Sequence, residues 1–185
     1  MSDKKLYDTA LTCIGDALGN TDAHELEQAI ELIAAARHVS VYGCGREGLQ
    51  VRGLAMRLFH LGRSVSVVGE MVTPAIGPGD LFLVTAGPGD LSTASALLGV
   101  ARAAGAKVLC ITAQPTGGVP QASDAVLTIP AQTMANDQGP DVAPLPMGSI
   151  FEGALFVLFE VMILKLKAKL KVSDEAMRAN HTNLE

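Results

Sequence analysis

Two apolar, β-branched runs, each ending in a glycine-rich turn, constrain this chain most. The first is Val39-Ser40-Val41-Tyr42, followed by Gly43-Cys44-Gly45-Arg46-Glu47-Gly48. The second is Leu81-Phe82-Leu83-Val84-Thr85, followed by Ala86-Gly87-Pro88-Gly89-Asp90. A run that is apolar at nearly every position is buried on both faces, as in a parallel sheet. Helix-like sequence follows each turn. Strand, glycine turn and helix together bring backbone N–H groups and a helix N-terminus around one point, which suits an anion. Two such turns on neighbouring strands would frame one crevice at the carboxyl edge of a sheet.

The rest of the chain repeats the pattern. Two amphipathic helices come first, at 4–18 and from Asp22 to about Arg37, with Asp22 as N-cap and Glu25 spaced for a capping box. Strands are expected at 39–43, 64–68, 80–85, 107–112 and 125–129, and helices at 46–61 and 91–104. This alternation predicts βαβ units and a five-stranded parallel sheet covered on both faces. Residues 130–149 read as a loop broken by Pro130, Gly139, Pro140, Pro144, Pro146 and Gly148, and a loop of that length is usually functional. A long helix at 149–170 follows, with Ser149 as its N-cap. It is apolar almost all round as far as Leu164, which predicts burial, in part against other copies of the chain. We read residues 1–185 as one domain: helices over 1–37, sheet and helices over 38–170, and a polar arm over 171–185.

Composition narrows the partners. The net charge of −5, with no basic run and no Trp, gives no footprint for nucleic acid. No apolar stretch is long enough to span a bilayer and no signal peptide is visible, so a cytoplasmic location is expected. Cys13, Cys44 and Cys110 form no C-x-x-C pair, and no two histidines stand at ligand spacing, so no metal is expected.

Two chemistries fit the turns. Gly43-x-Gly45-x-x-Gly48, with Glu70 22 residues beyond, matches a dinucleotide fingerprint. The alternative is a sugar-phosphate pocket in which Gly43, Gly45, Gly87 and Gly89 admit backbone donors and Arg46 adds a charge-assisted bond. Isomerisation there requires a base to move a proton between adjacent carbons, and donors for the enediolate oxygen. Glu152, after the loop and in the first turn of the apolar helix, is the candidate base; its other reading is a helix cap. His60 and His181 are further candidates. His60 also reads as complementing a helix dipole, and His181 lies on an arm able to reach a neighbouring subunit.

At these residues the chain resembles the sugar isomerase (SIS) domain family, and within it the 6-phospho-3-hexuloisomerases. The resemblance is carried by Gly43-Cys44-Gly45-Arg46, Ala55-Met56-Arg57-Leu58-Phe59-His60-Leu61-Gly62, Val67-Val68-Gly69-Glu70-Met71-Val72-Thr73-Pro74, Pro146-Met147-Gly148-Ser149-Ile150-Phe151-Glu152 and Asn183-Leu184-Glu185. It outweighs the dinucleotide reading. It implies a three-layer α/β/α sandwich, a homotetramer, and no cofactor. It also implies interconversion of hexulose 6-phosphate and fructose 6-phosphate, with Glu152 as catalytic group, His60 near the pocket and His181 matching a histidine of the family's tail. A non-catalytic SIS domain that binds a carbohydrate derivative is the alternative. The differences fall on the ligand loops. Glu47 stands in place of a serine, Ala86, Pro88 and Leu91 in place of hydroxyls, and Asn180 in place of an arginine. Each hydrogen bond lost to a charged group weakens binding by roughly 1.5–3 kcal/mol. Ser92 and Thr93, one position further on, are the hydroxyls left to bind substrate, and Glu47 is a substrate-binding candidate suited to a cationic group such as the amine of an amino sugar.

Overall fold

Alternation along the strands sets the layers. In β3 (Leu81–Thr85) the side chains of Leu81 and Leu83 join one core, while those of Phe82 and Val84 join another on the opposite face. The same division runs through β1 (Val39–Gly43) and β4 (Lys107–Thr112), and β2 (Val65–Val67) and β5 (Ala125–Thr128) form the edges. All pairings are parallel, in the order β2-β1-β3-β4-β5. The computed structural model describes residues 2–138 and 145–184. Of the loop expected at 130–149, Gly139, Pro140 and Pro144 lie outside the described residues, as does Glu185 of the tail.

Helices cover both faces, which gives the three-layer α/β/α sandwich. The larger core joins the sheet to α2 (Ala23–Ala35), α3 (Gly45–His60) and α6 (Ser149–Leu170), through Ile30, Ile33, Leu54, Leu58, Leu155 and Met162. α1 (Asp3–Gly19) packs on the same side, through Ala17. The smaller core joins the other face to α4 (Ser92–Ala103) and the short α5 (Gly118–Gln121), through Ala94, Leu98 and Val119. Because β1 and β3 are neighbours while their helices lie on opposite faces, the sheet reverses its winding between them. A crevice opens at their carboxyl ends.

Two local expectations change. Asp22 caps α2, accepting from the N–H groups of His24 and Glu25 at 2.7 and 3.0 Å. The Glu25 side chain does not close the box, however; it accepts from Thr128 N–H at 2.7 Å and ties α2 to β5. Ser149 is not the N-cap of α6. Gly148, in the left-handed region at φ 78°, holds that position. Within one chain the long helix leaves Phe156 and Leu164 exposed, and Val157 and Val161 partly so, as expected of a helix buried in part against other copies. Among the described residues no helix is long and apolar enough to cross a membrane. The polar tail folds into α7 (Asp174–Ala179) and lies against the C-terminal end of its own α3.

Candidate functional site

Both glycine turns reach the crevice, held together by close backbone approach. A Cβ on Gly43 would lie 2.6 Å from Thr85 Oγ1, and one on Gly48 would lie 2.6 Å from the Gly43 carbonyl oxygen. Only glycine lets β1 turn so tightly into α3 while β3 runs alongside. Above the turns lies a cavity of about 360 Å³, lined by Cys44, Gly45, Arg46 and Glu47 from the first turn and by Pro88 and Leu91 from the second. Thr133, Met134, Met147 and Gly148 from the long loop complete it, with Phe151 and Glu152 from the start of α6.

Arg46 builds the α6 side of this cavity. Its Nε lies 3.0 Å from Glu152 Oε2, its Nη1 donates to Ser149 Oγ at 3.0 Å and its Nη2 donates to the Met147 carbonyl at 2.7 Å. Met147 and Gly148 both have positive φ, at 56° and 78°, and Met147 is strained there. The guanidinium clamps that turn and so fixes where α6 begins. Glu152 is therefore not a capping residue; it projects to the cavity wall and pairs with Arg46. Burial raises its pKa, and the charge and hydrogen bond of Arg46 offset only part of that rise.

Glu47 corrects the expectation of two turns offering free amides. Its carboxylate, on a residue only 8% exposed, accepts from Gly87 N–H, at 3.1 Å to Oε1 and 3.3 Å to Oε2. Pro88 has no N–H. Gly89 N–H is turned back onto the Ala86 carbonyl at 2.8 Å. Residues 87–89 thus offer a ligand no main-chain donor. Burial pushes the Glu47 carboxyl above the usual range, the Gly87 amide draws it part of the way back, and Glu152 pushes it further up. A carboxyl whose pKa is raised on folding is most favourable to stability below its unfolded value, near 4.5. That contribution is lost as pH rises through the folded pKa. Glu47→Gln is therefore expected to melt above the parent protein at about pH 7.5, the gap closing as pH falls towards about 4.5. Melting curves across that range check it, and a gap that widens on acidification would contradict it.

The other expected site residues divide into three groups. Gly43 and Gly87 lie beneath the cavity. Gly89 is buried against Gln114 and Gly117, and Ser92 and Thr93 are exposed at the start of α4; none of these three lines the cavity. His60 and His181 come together elsewhere, with ring centroids 5.1 Å apart. They line a cavity of about 540 Å³ with Arg57, Lys167, Asp174 and Arg178, at the far end of α3. Asn180 anchors the tail there, its Nδ2 donating to the His60 carbonyl at 3.0 Å. With 16 residues, α3 is about 24 Å long, so within one chain neither histidine reaches Glu152. Glu70, the acid of the dinucleotide pattern, pairs with Arg52 at 3.2 Å and does not line the crevice. Cys44, Pro88, Leu91, Met147, Gly148 and Phe151, from segments that carry the family resemblance or its differences, also line the cavity, as do Thr133 and Met134, which no motif marks.

Comparison with known proteins decides the family. The model of the SIS domain matches residues 32–150, about two thirds of the sequence. The chain belongs to the SIS domain family. Over 93% of its length this SIS domain is 36% identical to the 3-hexulose-6-phosphate isomerase of Mycobacterium gastri, covering 86% of that protein. It is 35% identical, over 98% of its length and 99% of the relative's, to the 3-hexulose-6-phosphate isomerase of Methylomonas aminofaciens. Its fold superposes with a TM-score of 0.81 on a crystal structure from Methanococcus jannaschii, at 23% identity, covering 95% of this chain and 98% of that one. The SIS domain thus shares descent with the 3-hexulose-6-phosphate isomerases it matches and keeps the SIS fold.

Proposed function

We propose that this SIS domain is an aldose–ketose or ketose–ketose isomerase whose reaction is of the 6-phospho-3-hexuloisomerase type, run in the cavity between the two turns. The observation that carries the reading is Glu152, a carboxylate with a raised pKa set in the wall of a sugar-sized cavity. Glu152 takes the proton from the carbinol carbon beside the substrate's ketone. The electrons form an enediolate across the two carbons, and the same proton or one from water returns to the former ketone carbon. The oxygens exchange one proton in the same direction, so no oxidant or reductant is consumed. Arg46 orients Glu152, and a carboxylate made more basic by burial suits a proton transfer near neutral pH. The test is conversion of 3-hexulose 6-phosphate to fructose 6-phosphate, and of their unphosphorylated counterparts, followed by NMR. Turnover of one of these pairs is expected, and the absence of turnover on all of them would overturn the reading.

His60 and His181 enter such a reaction only from another copy of the chain, because α3 separates them from Glu152. Exposed Phe59 on α3 and Phe156 and Leu164 along α6 provide apolar surface for a homo-oligomer. Co-expressed Glu152→Gln and His181→Ala subunits are expected to regain activity that each lacks alone. A His181→Ala protein as active as the unsubstituted one would place that histidine outside the reaction, and mixed assemblies without regained activity would contradict its entry from another copy.

The second reading is a non-catalytic domain that binds a carbohydrate derivative. The engaged amides of residues 87–89 favour it, since a phosphate finds no donor there. Under this reading Glu152→Gln leaves the domain's ligand binding intact and there is no turnover to lose.

A further inference from the structure

The second turn has the build of an anion site, and an anion of the protein's own fills it. Glu47 Oε1 and Oε2 face Gly87 N–H at 3.1 and 3.3 Å. The proline at 88 removes the next donor, and the Ala86 carbonyl takes the third. Among the described lining residues the charged groups are Arg46, Glu47 and Glu152. All three Arg46 nitrogens are directed to the α6 side, on Glu152, Ser149 and Met147. The cavity therefore holds two carboxylates against one guanidinium that already has partners. A phosphate dianion entering beside Glu47 would meet like charge with no main-chain donor at 87–89 to offset it. A donor entering there would meet an acceptor that has only one amide to bind.

We propose that Glu47 is the specificity-determining residue of the cavity: its carboxylate replaces the ligand's anion at the second turn, and the cavity selects a sugar that presents a hydrogen-bond donor there, an ammonium above a hydroxyl, in place of a phosphate. The proposal rests on the reading of this cavity as the sugar site and deepens it, naming the handle by which the sugar is held. It keeps the chemistry at Glu152 and changes the kind of group by which the sugar is held.

Calorimetric titration of the full chain with glucosamine, fructose, fructose 6-phosphate and inorganic phosphate tests it, on the parent protein and on Glu47→Ser and Glu47→Gln. The parent is expected to bind glucosamine more tightly than fructose, and fructose more tightly than fructose 6-phosphate. In Glu47→Ser the order inverts. Fructose 6-phosphate gains about tenfold or more, the worth of one hydrogen bond to a charged group, and glucosamine loses a similar factor. Glu47→Gln keeps the side-chain shape and an acceptor for Gly87 N–H, so it decides the question if the serine variant does not fold; it is expected to lose the preference for glucosamine over fructose. A parent protein that binds fructose 6-phosphate at least as tightly as fructose overturns the proposal, as does one that binds neither unphosphorylated sugar. The isomerase reading fails separately: the expected order of affinities would then be found without conversion of any sugar.

Discussion

Glu152→Gln is expected to lower turnover by about 10²- to 10⁴-fold, the usual contribution of a positioned general base, while the protein stays folded. The amide is nearly the same size and still accepts from Arg46, so the clamp on Met147 and Ser149 persists. What is removed is the basic oxygen. The change should fall on kcat more than on KM, because a base acts on the transition state while the sugar is held by the rest of the wall. Paired kinetics and melting curves check it. Turnover within a few-fold of the parent would mean that Glu152 only anchors the α6 turn. Loss of the folded state would mean that the ion pair with Arg46 matters more for structure than the surrounding contacts indicate.

Gly87→Ala is the substitution expected to damage the fold and the cavity together. The new Cβ would stand 2.6 Å from Glu47 Oε1 and 2.8 Å from two ring carbons of Phe151. Glu47 can shift, but Phe151 is 1% exposed at the start of α6, so moving its ring disturbs either the core or the cavity floor it forms. Overpacking of this kind costs about 1–3 kcal/mol, which in a chain of this size lowers the melting temperature by about 2–4 °C for each kcal/mol. Moving Glu47 off the Gly87 amide also changes the cavity wall, so affinity for any ligand should fall with stability. A variant that melts with the parent and binds as the parent does would show that the turn has more room than these distances allow.

The framework was legible for a definite reason. Val39–Gly43 and Leu81–Thr85 are apolar at nearly every position because parallel strands are covered on both sides, and that pattern survives in a linear reading. The turns were legible because glycine is required where β1 and β3 approach so closely. The engagement of the Gly87 amide was not, because it depends on a contact across 40 residues. Sequence placed Glu47 near an anion site as an intruder; the fold shows it as the occupant. Pro88, read as a missing donor, was a correct signal of the same fact. The separation of His60 from Glu152 is itself written in the sequence: fifteen residues of helix after Gly45 carry His60 to the other edge of the sheet. Ser149 looked like a cap because serine precedes the apolar run, yet the left-handed Met147-Gly148 pair under the Arg46 clamp takes that position. Thr133 and Met134 were signalled only by the length of the loop that holds them, and Phe151 passed as core because an apolar residue at a cavity floor has the same pattern as one in the core.

The account turns on proton transfer by Glu152 in the cavity between the two turns, and hydrogen exchange reads that step whichever sugar is the natural one. Each candidate ketose is incubated with the protein in deuterium oxide, and the recovered sugar is analysed by NMR. The account predicts deuterium at the carbon beside the ketone with the parent protein, and a rate of entry reduced by about 10²-fold or more with Glu152→Gln. Exchange by Glu152→Gln at the parent's rate would contradict it.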